Sequence, residues 1–336
     1  MVNLTKNRLD EIQSGFAGKR IAVVGDLMLD RYFWGKVSRI SPEAPVPVVE
    51  VEEESTRLGG AANVANNIAS LGGTPIMIGI VGNDTGGESL RKLVTEKGFP
   101  ILGIVTDETR PTTIKTRVIA HNQHVVRIDR EEKMDLDADV QARVVANFEN
   151  QINSLDGIIL EDYNKGVLTK GTIASIIRIS KEHRKTITVD PKYNNFFEYK
   201  DVSVFKPNRK ETEEALGRRL ECLPDVEKAA RELMSRLQAD NVLLTMGEKG
   251  MILLERNGTL AYVETKARHV ADVSGAGDTV IATLTMGMVA GASVGESAAL
   301  ANYAGGIVCG EVGIVPIDKG ILIQTILKDI SNGGKR

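Results

Sequence analysis

The chain has 336 residues, 42% hydrophobic and 26% charged, with a formal net charge of −3. That composition is ordinary for a soluble globular protein, and the charge offers no field for nucleic acid or an anionic membrane. Cys222 and Cys309 lack CxxC spacing and read as reduced thiols of a cytosolic protein. His121, His124, His183 and His269 form no zinc pattern, and no run approaches the 18 apolar residues of a membrane span.

The N-terminal stretch carries acids and no apolar core, so it is not a signal peptide. Leu4, Leu9, Ile12 and Phe16 instead predict a short amphipathic helix. RIAVVGD (20–26) predicts a buried strand ending in Gly-Asp. Residues 31–54 carry three prolines and then alternate Val with Glu, which predicts a half-exposed or edge strand. LGGAANVANNIASLGG (58–73) predicts a Gly-Gly turn opening a tightly packed helix, and TPIMIGIVG (74–82) the next buried strand. GNDTGGES (82–89) reads as a turn before a helix near 86–98, and a strand follows at 101–107. Residues 111–129 alternate again and read as further strands of the same partly exposed sheet.

From there the pattern is regular. Helices at 137–152 and 169–183 lead to strands at 157–163 and 186–191. A strand at 202–208, a helix from 209 and another at 224–238 precede a strand at 241–247. Residues 251–264 predict a hairpin around Asn257-Gly258. Helices at 277–291, 294–309 and 318–330 close the chain. Buried strands alternating with helices imply a largely parallel sheet covered on both faces. The expected fold is one α/β domain over 1–336 with a small β-sheet lid from about 32–54 and 110–130.

Ligands of such sheets sit at the carboxyl ends of the strands. This chain puts Asp26, Asp30, Glu161, Asp162, Asp190, Lys206, Asn208, Thr245 and Gly247 there. In ADVSGAGDTV (271–280) the small residues leave backbone N–H groups open to an anion at a helix N-terminus. Asp278 beside that opening is either a proton acceptor for an attacking hydroxyl or a first-turn acid facing the helix dipole. Asn208 and Glu211 in KPNRKE suit Mg²⁺ bound to phosphates, but share the spacing of an N-cap and its first-turn acid. LTMGEKG (244–250) is either a nucleotide contact or a tight turn. Gly59, Gly60 and Asn63 fit either polyol hydroxyls or close helix–sheet packing. No GxxxxGK[ST] occurs, and no GxGxxG follows the first strand, so neither a P-loop nor a dinucleotide fingerprint is present.

As an ordered set, GD…D, GG..N, PN..E, T.G..G and D..GAGD resemble the ribokinase-like (PfkB) family of sugar kinases over nearly the whole chain. The resemblance implies a three-layer α/β/α sandwich with a mostly parallel sheet and a lid. GDLMLDRYFWGKVSRISPEAPVPVV (25–49), IKTRVIAHNQHVVRID (114–129), EDYNKGVL (161–168) and VDPK (189–192) are closer still to heptose 7-phosphate kinases of lipopolysaccharide precursor synthesis. In bifunctional relatives that kinase is fused to a nucleotidyltransferase; the short C-terminal remainder here carries the expectation that the second activity is absent.

The resemblance also implies roles. Asp278 would be the catalytic base and the backbone of Gly275, Ala276 and Gly277 the anion hole. Asn208 and Glu211 would organise Mg²⁺; Thr245, Gly247, Gly250 and Asn302 would hold ATP. Asp30, Gly59, Gly60, Asn63 and Asp162 would bind sugar hydroxyls. Asp272 and Ser274 match positions where family members bind a monovalent cation such as K⁺. Lys115, Arg117, Lys165 and Lys192 are candidates for the sugar phosphate, each with solvated surface charge as its alternative. Glu161 departs from the pattern, since close relatives more often carry a small residue there. The expected reaction is ATP-dependent phosphorylation of the anomeric hydroxyl of D-glycero-D-manno-heptose 7-phosphate, by a cytoplasmic homodimer paired through the lid. The rivals are a kinase for another sugar, sugar phosphate or nucleoside, and a non-catalytic sugar- or nucleotide-binding regulator.

Overall fold

The computed structural model describes residues 4–121, 123–266 and 270–333, so His269 lies outside the described residues. Helix α1 (Lys6–Ser14) leads to strand β1 (Arg20–Gly25), strands β2 (Leu27–Ile40) and β3 (Pro47–Gly60), helix α2 (Ala61–Leu71) and strand β4 (Thr74–Gly82). Helix α3 (Thr85–Glu96), β5 (Ile104–Asp107), β6 (Thr113–Ala120), β7 (Gln123–Arg130), α4 (Ala138–Glu149) and β8 (Gly157–Glu161) follow. Then come α5 (Lys170–Glu182), β9 (Thr186–Asp190), β10 (Val204–Phe205), α6 (Arg209–Leu216), α7 (Leu223–Leu237) and β11 (Asn241–Thr245). Strands β12 (Met251–Glu255) and β13 (Leu260–Val263) and helices α8 (Ala276–Val289), α9 (Val294–Val308) and α10 (Lys319–Gly333) complete the chain.

Among the described residues, nine strands form the main sheet in the order β13-β12-β11-β10-β9-β8-β1-β4-β5. All neighbours from β11 to β5 are parallel, and the β11–β12–β13 meander is antiparallel. Its central strands are apolar on both faces because both faces are covered. On β1, Ile21 and Val23 join the core beneath α1, α2, α8, α9 and α10, while Ala22 and Val24 join the core beneath α4, α5 and α7. Helix α8 is buried on nearly every side, and Gly287 lets it approach α9: a Cβ there would lie 2.7 Å from Ser297 Oγ.

The lid is a four-stranded sheet, β3-β2-β6-β7, in which β2 and β6 are parallel and the outer pairs antiparallel. Its inner end is continuous with the main body. Leu27–Asp30 and Tyr32 are buried, whereas the outer ends of β2 and β3 are exposed.

Three local expectations need correction. The glycine-rich stretch 82–89 is not only a turn. Helix α3 begins inside it, because the Asp84 side chain accepts from Gly87 N at 2.9 Å and caps the helix. The strand expected at 202–208 is two residues long. Pro207 has no N–H to extend the ladder, and only a single bridge, Asn208 to Thr245, continues it. The strand expected from 101 starts at Ile104.

Candidate active site

Among the described residues, helix α8 begins with no side-chain cap. Its N-cap is Gly275, whose φ of 78° lies in the left-handed region that glycine enters without a Cβ penalty. Ala276 N turns back to Val273 O at 3.3 Å, so it is a weaker contributor to an anion hole than expected. Gly277 N makes no hydrogen bond among the described residues. A side chain at Gly277 would point toward the buried Asp190–Lys206 ion pair (2.8 Å), with Asp190 Oδ2 at 3.5 Å from a built Cβ.

Asp278 is 3% exposed and both its oxygens are held. Asn63 Nδ2 donates to Oδ2 at 2.7 Å, and the Tyr163 hydroxyl donates to Oδ1 at 2.7 Å. Burial raises its pKa to about 6, against the pull of these two hydrogen bonds and with the help of the nearby negative charge of Asp190 and Asp30. The carboxylate is therefore ionised at neutral pH yet basic enough to take a proton. Asn63, expected at sugar hydroxyls, spends its amide on Asp278. Asn67 on the same helix ties α2 to α8 by accepting from Thr279 Oγ1 at 3.0 Å.

The loop after β8 carries Tyr163 and Lys165 and is pinned by two buried carboxyls. Asp26 accepts from the backbone N–H groups of Tyr163 (2.8 Å), Lys165 (3.1 Å) and Val167 (3.3 Å). Asp162, expected at the sugar, accepts instead from Asn164 N at 2.7 Å and the Tyr199 hydroxyl at 2.6 Å. Burial, then the neighbouring charge of Asp162, pushes Asp26 up to about 7. Glu161, at the end of β8, is 1% exposed and its Oε2 has no partner among the described residues. Burial, then Asp190 and Asp278, holds its carboxyl well above the usual range.

On the lid side, Asp30 pairs with Arg117. Gly59 is required beneath it, since a Cβ there would fall 2.1 Å from Asp30 Oδ2. Gly60, with φ 54°, turns the chain into α2. The four candidate cations are used unequally. Arg117 pairs with Asp30, Lys165 with Glu131 at 2.9 Å, and Lys192 with Glu211. Lys115 makes no ion pair among the described residues and lies 5.2 Å from the centroid of the Tyr163 ring.

Asn208 and Glu211 adopt the cap geometry that was the alternative to a metal site. Asn208 Oδ1 accepts from Glu211 N at 2.9 Å, and Glu211 Oε2 accepts from Asn208 N at 2.8 Å. Each oxygen keeps a further lone pair, so the pair fits Mg²⁺ through water better than by direct ligation. Among the described residues no three His, Cys, Asp or Glu side chains are grouped to hold a metal.

In the turn after β11, Gly247 has φ 60° and Gly250 φ 81°; a Cβ on Gly250 would fall 2.1 Å from Val263 O. Thr245 is half-buried at the strand end, its N–H donating to Pro207 O at 3.0 Å. Asn302 on α9 donates to Glu264 O at 2.7 Å and lines a cavity of about 540 Å³ between the β12–β13 hairpin, α9 and α10. Asp272 organises its own loop, accepting from Ser274 N at 2.9 Å and Gly313 N at 3.1 Å.

In the sequence, Asp190 and Lys206 read as strand-end residues with no assigned role, and Tyr163 as one residue of the EDYNKGVL motif. Spacing could not show that a tyrosine hydroxyl after β8 reaches a carboxylate on α8, 115 residues later.

A family model described as pfkB family carbohydrate kinase matches residues 19–318. Among curated proteins, the chain is 44% identical over 295 residues to the Bifunctional protein HldE of Helicobacter pylori (strain P12), covering 88% of this chain and 64% of that protein. It is 42% identical to the protein of the same name in Desulfatibacillum aliphaticivorans, covering 90% of this chain and 62% of the relative. The chain thus spans less than two thirds of the length of these relatives. Among solved structures, phosphofructokinase-2 from Escherichia coli in complex with potassium superposes with a TM-score of 0.76 at 21% identity, covering 94% of this chain and 99% of that one. Arabidopsis thaliana ribokinase complexed with ribose and ATP gives 0.71 at 18% identity, covering 93% and 99%. The fold is ribokinase-like, and the chain belongs to the pfkB family of carbohydrate kinases.

Proposed function

We propose that this carbohydrate kinase transfers the γ-phosphoryl group of ATP to the anomeric hydroxyl of D-glycero-D-manno-heptose 7-phosphate, giving the 1,7-bisphosphate used for ADP-heptose and lipopolysaccharide core synthesis. The observation that carries the phosphotransfer is Asp278: a buried, doubly held carboxylate with a pKa of about 6, at the uncapped mouth of α8. The acceptor hydroxyl would attack the γ-phosphorus, passing its proton to Asp278 as the new O–P bond forms and the bond to ADP breaks. The amides at Gly275–Gly277 and the dipole of α8 would take up charge on the transferring group. Asn208 and Glu211 would hold Mg²⁺ through water, which when bound draws charge off the phosphates. Thr245, Gly247 and Gly250 would receive the nucleotide's phosphates, with the remainder of ATP directed toward Asn302. Asp272 and Ser274 would order a loop that takes a K⁺ ion.

The preference for a phosphorylated sugar is supported by Lys115 and Lys192 against the Tyr163 ring and Arg117 at Asp30, with Lys165 on the Tyr163 loop, though Arg117, Lys165 and Lys192 also carry ion pairs within the chain. Asp30, Gly59 and Gly60 remain on the sugar side. The choice of heptose rests on the motifs at 25–49, 114–129 and 161–168. The reading also includes a single kinase domain, a cytoplasmic location and a homodimer through the lid. The dimer is favoured by an apolar lid face where Val46, Val51, Val126 and Ile128 are exposed. The deciding experiment follows ATP consumption and product phosphorus NMR over a panel of sugars, sugar phosphates and nucleosides with Mg²⁺. A 1,7-bisphosphate from the heptose 7-phosphate is expected. Turnover of another acceptor with none of the heptose phosphate would overturn the substrate, and binding without turnover across the panel would overturn the enzyme reading. Light scattering checks the dimer, and a monomer mass at all concentrations would remove it.

A further inference from the structure

We propose that Tyr163 is a positioning residue that fixes the proton-accepting carboxylate of Asp278 through its hydroxyl and joins it, through its ring, to the cations that take the acceptor's phosphate. This rests on the reading of Asp278 as the base.

Three observations meet at this side chain. Its hydroxyl donates to Asp278 Oδ1 at 2.7 Å. Burial, then the negative charge of Asp278 and Glu161, raises the phenol well above its ordinary pKa, so it stays a donor throughout the working pH range. Its ring carries two ammonium groups, Lys115 Nζ at 5.2 Å and Lys192 Nζ at 5.4 Å from the centroid. Both distances lie within the range of cation–π attraction. The ring lies in a loop whose backbone is tied to Asp26 by three N–H groups. One rigid aromatic side chain therefore has the base at one end and two candidate phosphate ligands about its ring.

The hydroxyl has a calculable effect on the base. A donor to a carboxylate favours its charged form. Asp278 meets Asn63 from α2, Tyr163 from the β8 loop, and the charges of Asp30 on β2 and Asp190 on β9; Glu161 on β8 also faces it, with Lys192 and Lys206 beside Glu161. Of these, Asn63 and Tyr163 are the two that hydrogen-bond the carboxylate and hold its pKa down. Removing the hydroxyl leaves Asp278 easier to protonate. Removing the ring as well also takes away the face against which Lys115 and Lys192 lie, leaving Lys192 only its ion pair with Glu211.

The test uses the full chain with the acceptor that the wild type turns over, in Tyr163→Phe, Tyr163→Leu and Asp278→Asn. In Tyr163→Phe the acid limb of the kcat/KM profile should move upward by about one pH unit, the size expected for a lost hydrogen bond to a charged group. The KM for ATP should stay unchanged. Tyr163→Leu should show the same shift, and in addition lose most of the preference for the phosphorylated acceptor over the same sugar without its phosphate. A limb in Tyr163→Phe that coincides with wild type, while Asp278→Asn is inactive, overturns this inference alone. Turnover retained by Asp278→Asn overturns the base reading and this inference with it. An unchanged phosphate preference in Tyr163→Leu overturns the link to the cations. Circular dichroism of the folded variants separates each outcome from unfolding.

Discussion

Helices α6 and α8 both begin at the ligand-facing end of the sheet, and their first turns are built in opposite ways. The mouth of α6 is closed on itself: Asn208 and Glu211 exchange side-chain-to-backbone hydrogen bonds at 2.9 and 2.8 Å. The mouth of α8 has Gly275 at its N-cap and, among the described residues, no side chain bonded to its amides. Its one acid, Asp278, faces Asn63 and Tyr163 instead of its own backbone. A capping box satisfies orphan donors from within the chain, whereas glycine leaves them for something outside it. The same electrostatic end of a helix is thus structural in α6 and available to a ligand in α8.

The sharpest way to break that comparison is at Asp278. Asp278→Asn keeps the shape and removes the proton acceptor, so kcat should fall by about 10²–10⁴, with ATP binding by calorimetry unchanged. In the wild type, kcat/KM should drop as pH falls through about 6, because Asp278 then takes up a proton. A rate that is flat from pH 5 to 8 would remove Asp278 from the chemistry. Next in size is Gly275→Ala. The left-handed φ of 78° disfavours any Cβ, and this one would lie 3.0 Å from Asn63 Nδ2, the group that donates to Asp278. The strain is on the order of 1 kcal/mol, but the displaced amide and carboxylate should cost turnover about ten- to hundredfold. Equal losses of stability and no loss of kcat would mean that the open mouth of α8 is only a packing feature.

The two helix mouths also mark how far the sequence could be read. Buried strands, the two-faced sheet and the lid were legible because apolar runs and Val-Glu alternation report burial directly. Asp278 was legible as a candidate because small residues before an acid at a helix start are a local pattern. Whether an acid at a helix start bonds its own backbone or a distant side chain is not local, so Glu211 and Asp278 could not be told apart by spacing. Tyr163 escaped for the same reason, since its partner lies on another element. Asp162 and Asn63 read as sugar ligands in the sequence, but their side chains face inward, to Tyr199 and to Asp278. Lys192 was read as a phosphate ligand, and its ion pair with Glu211 depends on β9 and β10 lying side by side.

A smaller effect probes the closed mouth. Asn208→Ala deletes one half of the capping box and should lower stability by about 1 kcal/mol in urea denaturation. If the same pair also holds Mg²⁺ through water, the Mg²⁺ concentration for half-maximal rate should rise in that variant. Loss of stability with an unchanged Mg²⁺ requirement would leave α6 purely structural and make the contrast with α8 complete.

The smallest effect belongs to the carboxyl that neither mouth uses. Glu161 is buried between Asp190 and Asp278 with one oxygen unpartnered among the described residues, and its pKa is raised chiefly by burial. A carboxyl whose pKa is higher in the folded than in the unfolded chain binds its proton more tightly when folded. Its contribution is therefore full below the unfolded value, near 4.3, and is lost as pH rises toward the folded value. Asp26, at about 7, acts in the same direction. Folding stability should accordingly decline from pH 5 to pH 8, and Glu161→Gln, which cannot ionise, should flatten that decline while leaving the Asp26 part in place. Urea midpoints at the two pH values measure it. An identical slope in the variant would mean that Glu161 keeps its charge when folded, stabilised by Lys206 and Lys192, and that the site beside Asp278 carries one more negative charge than its burial allows.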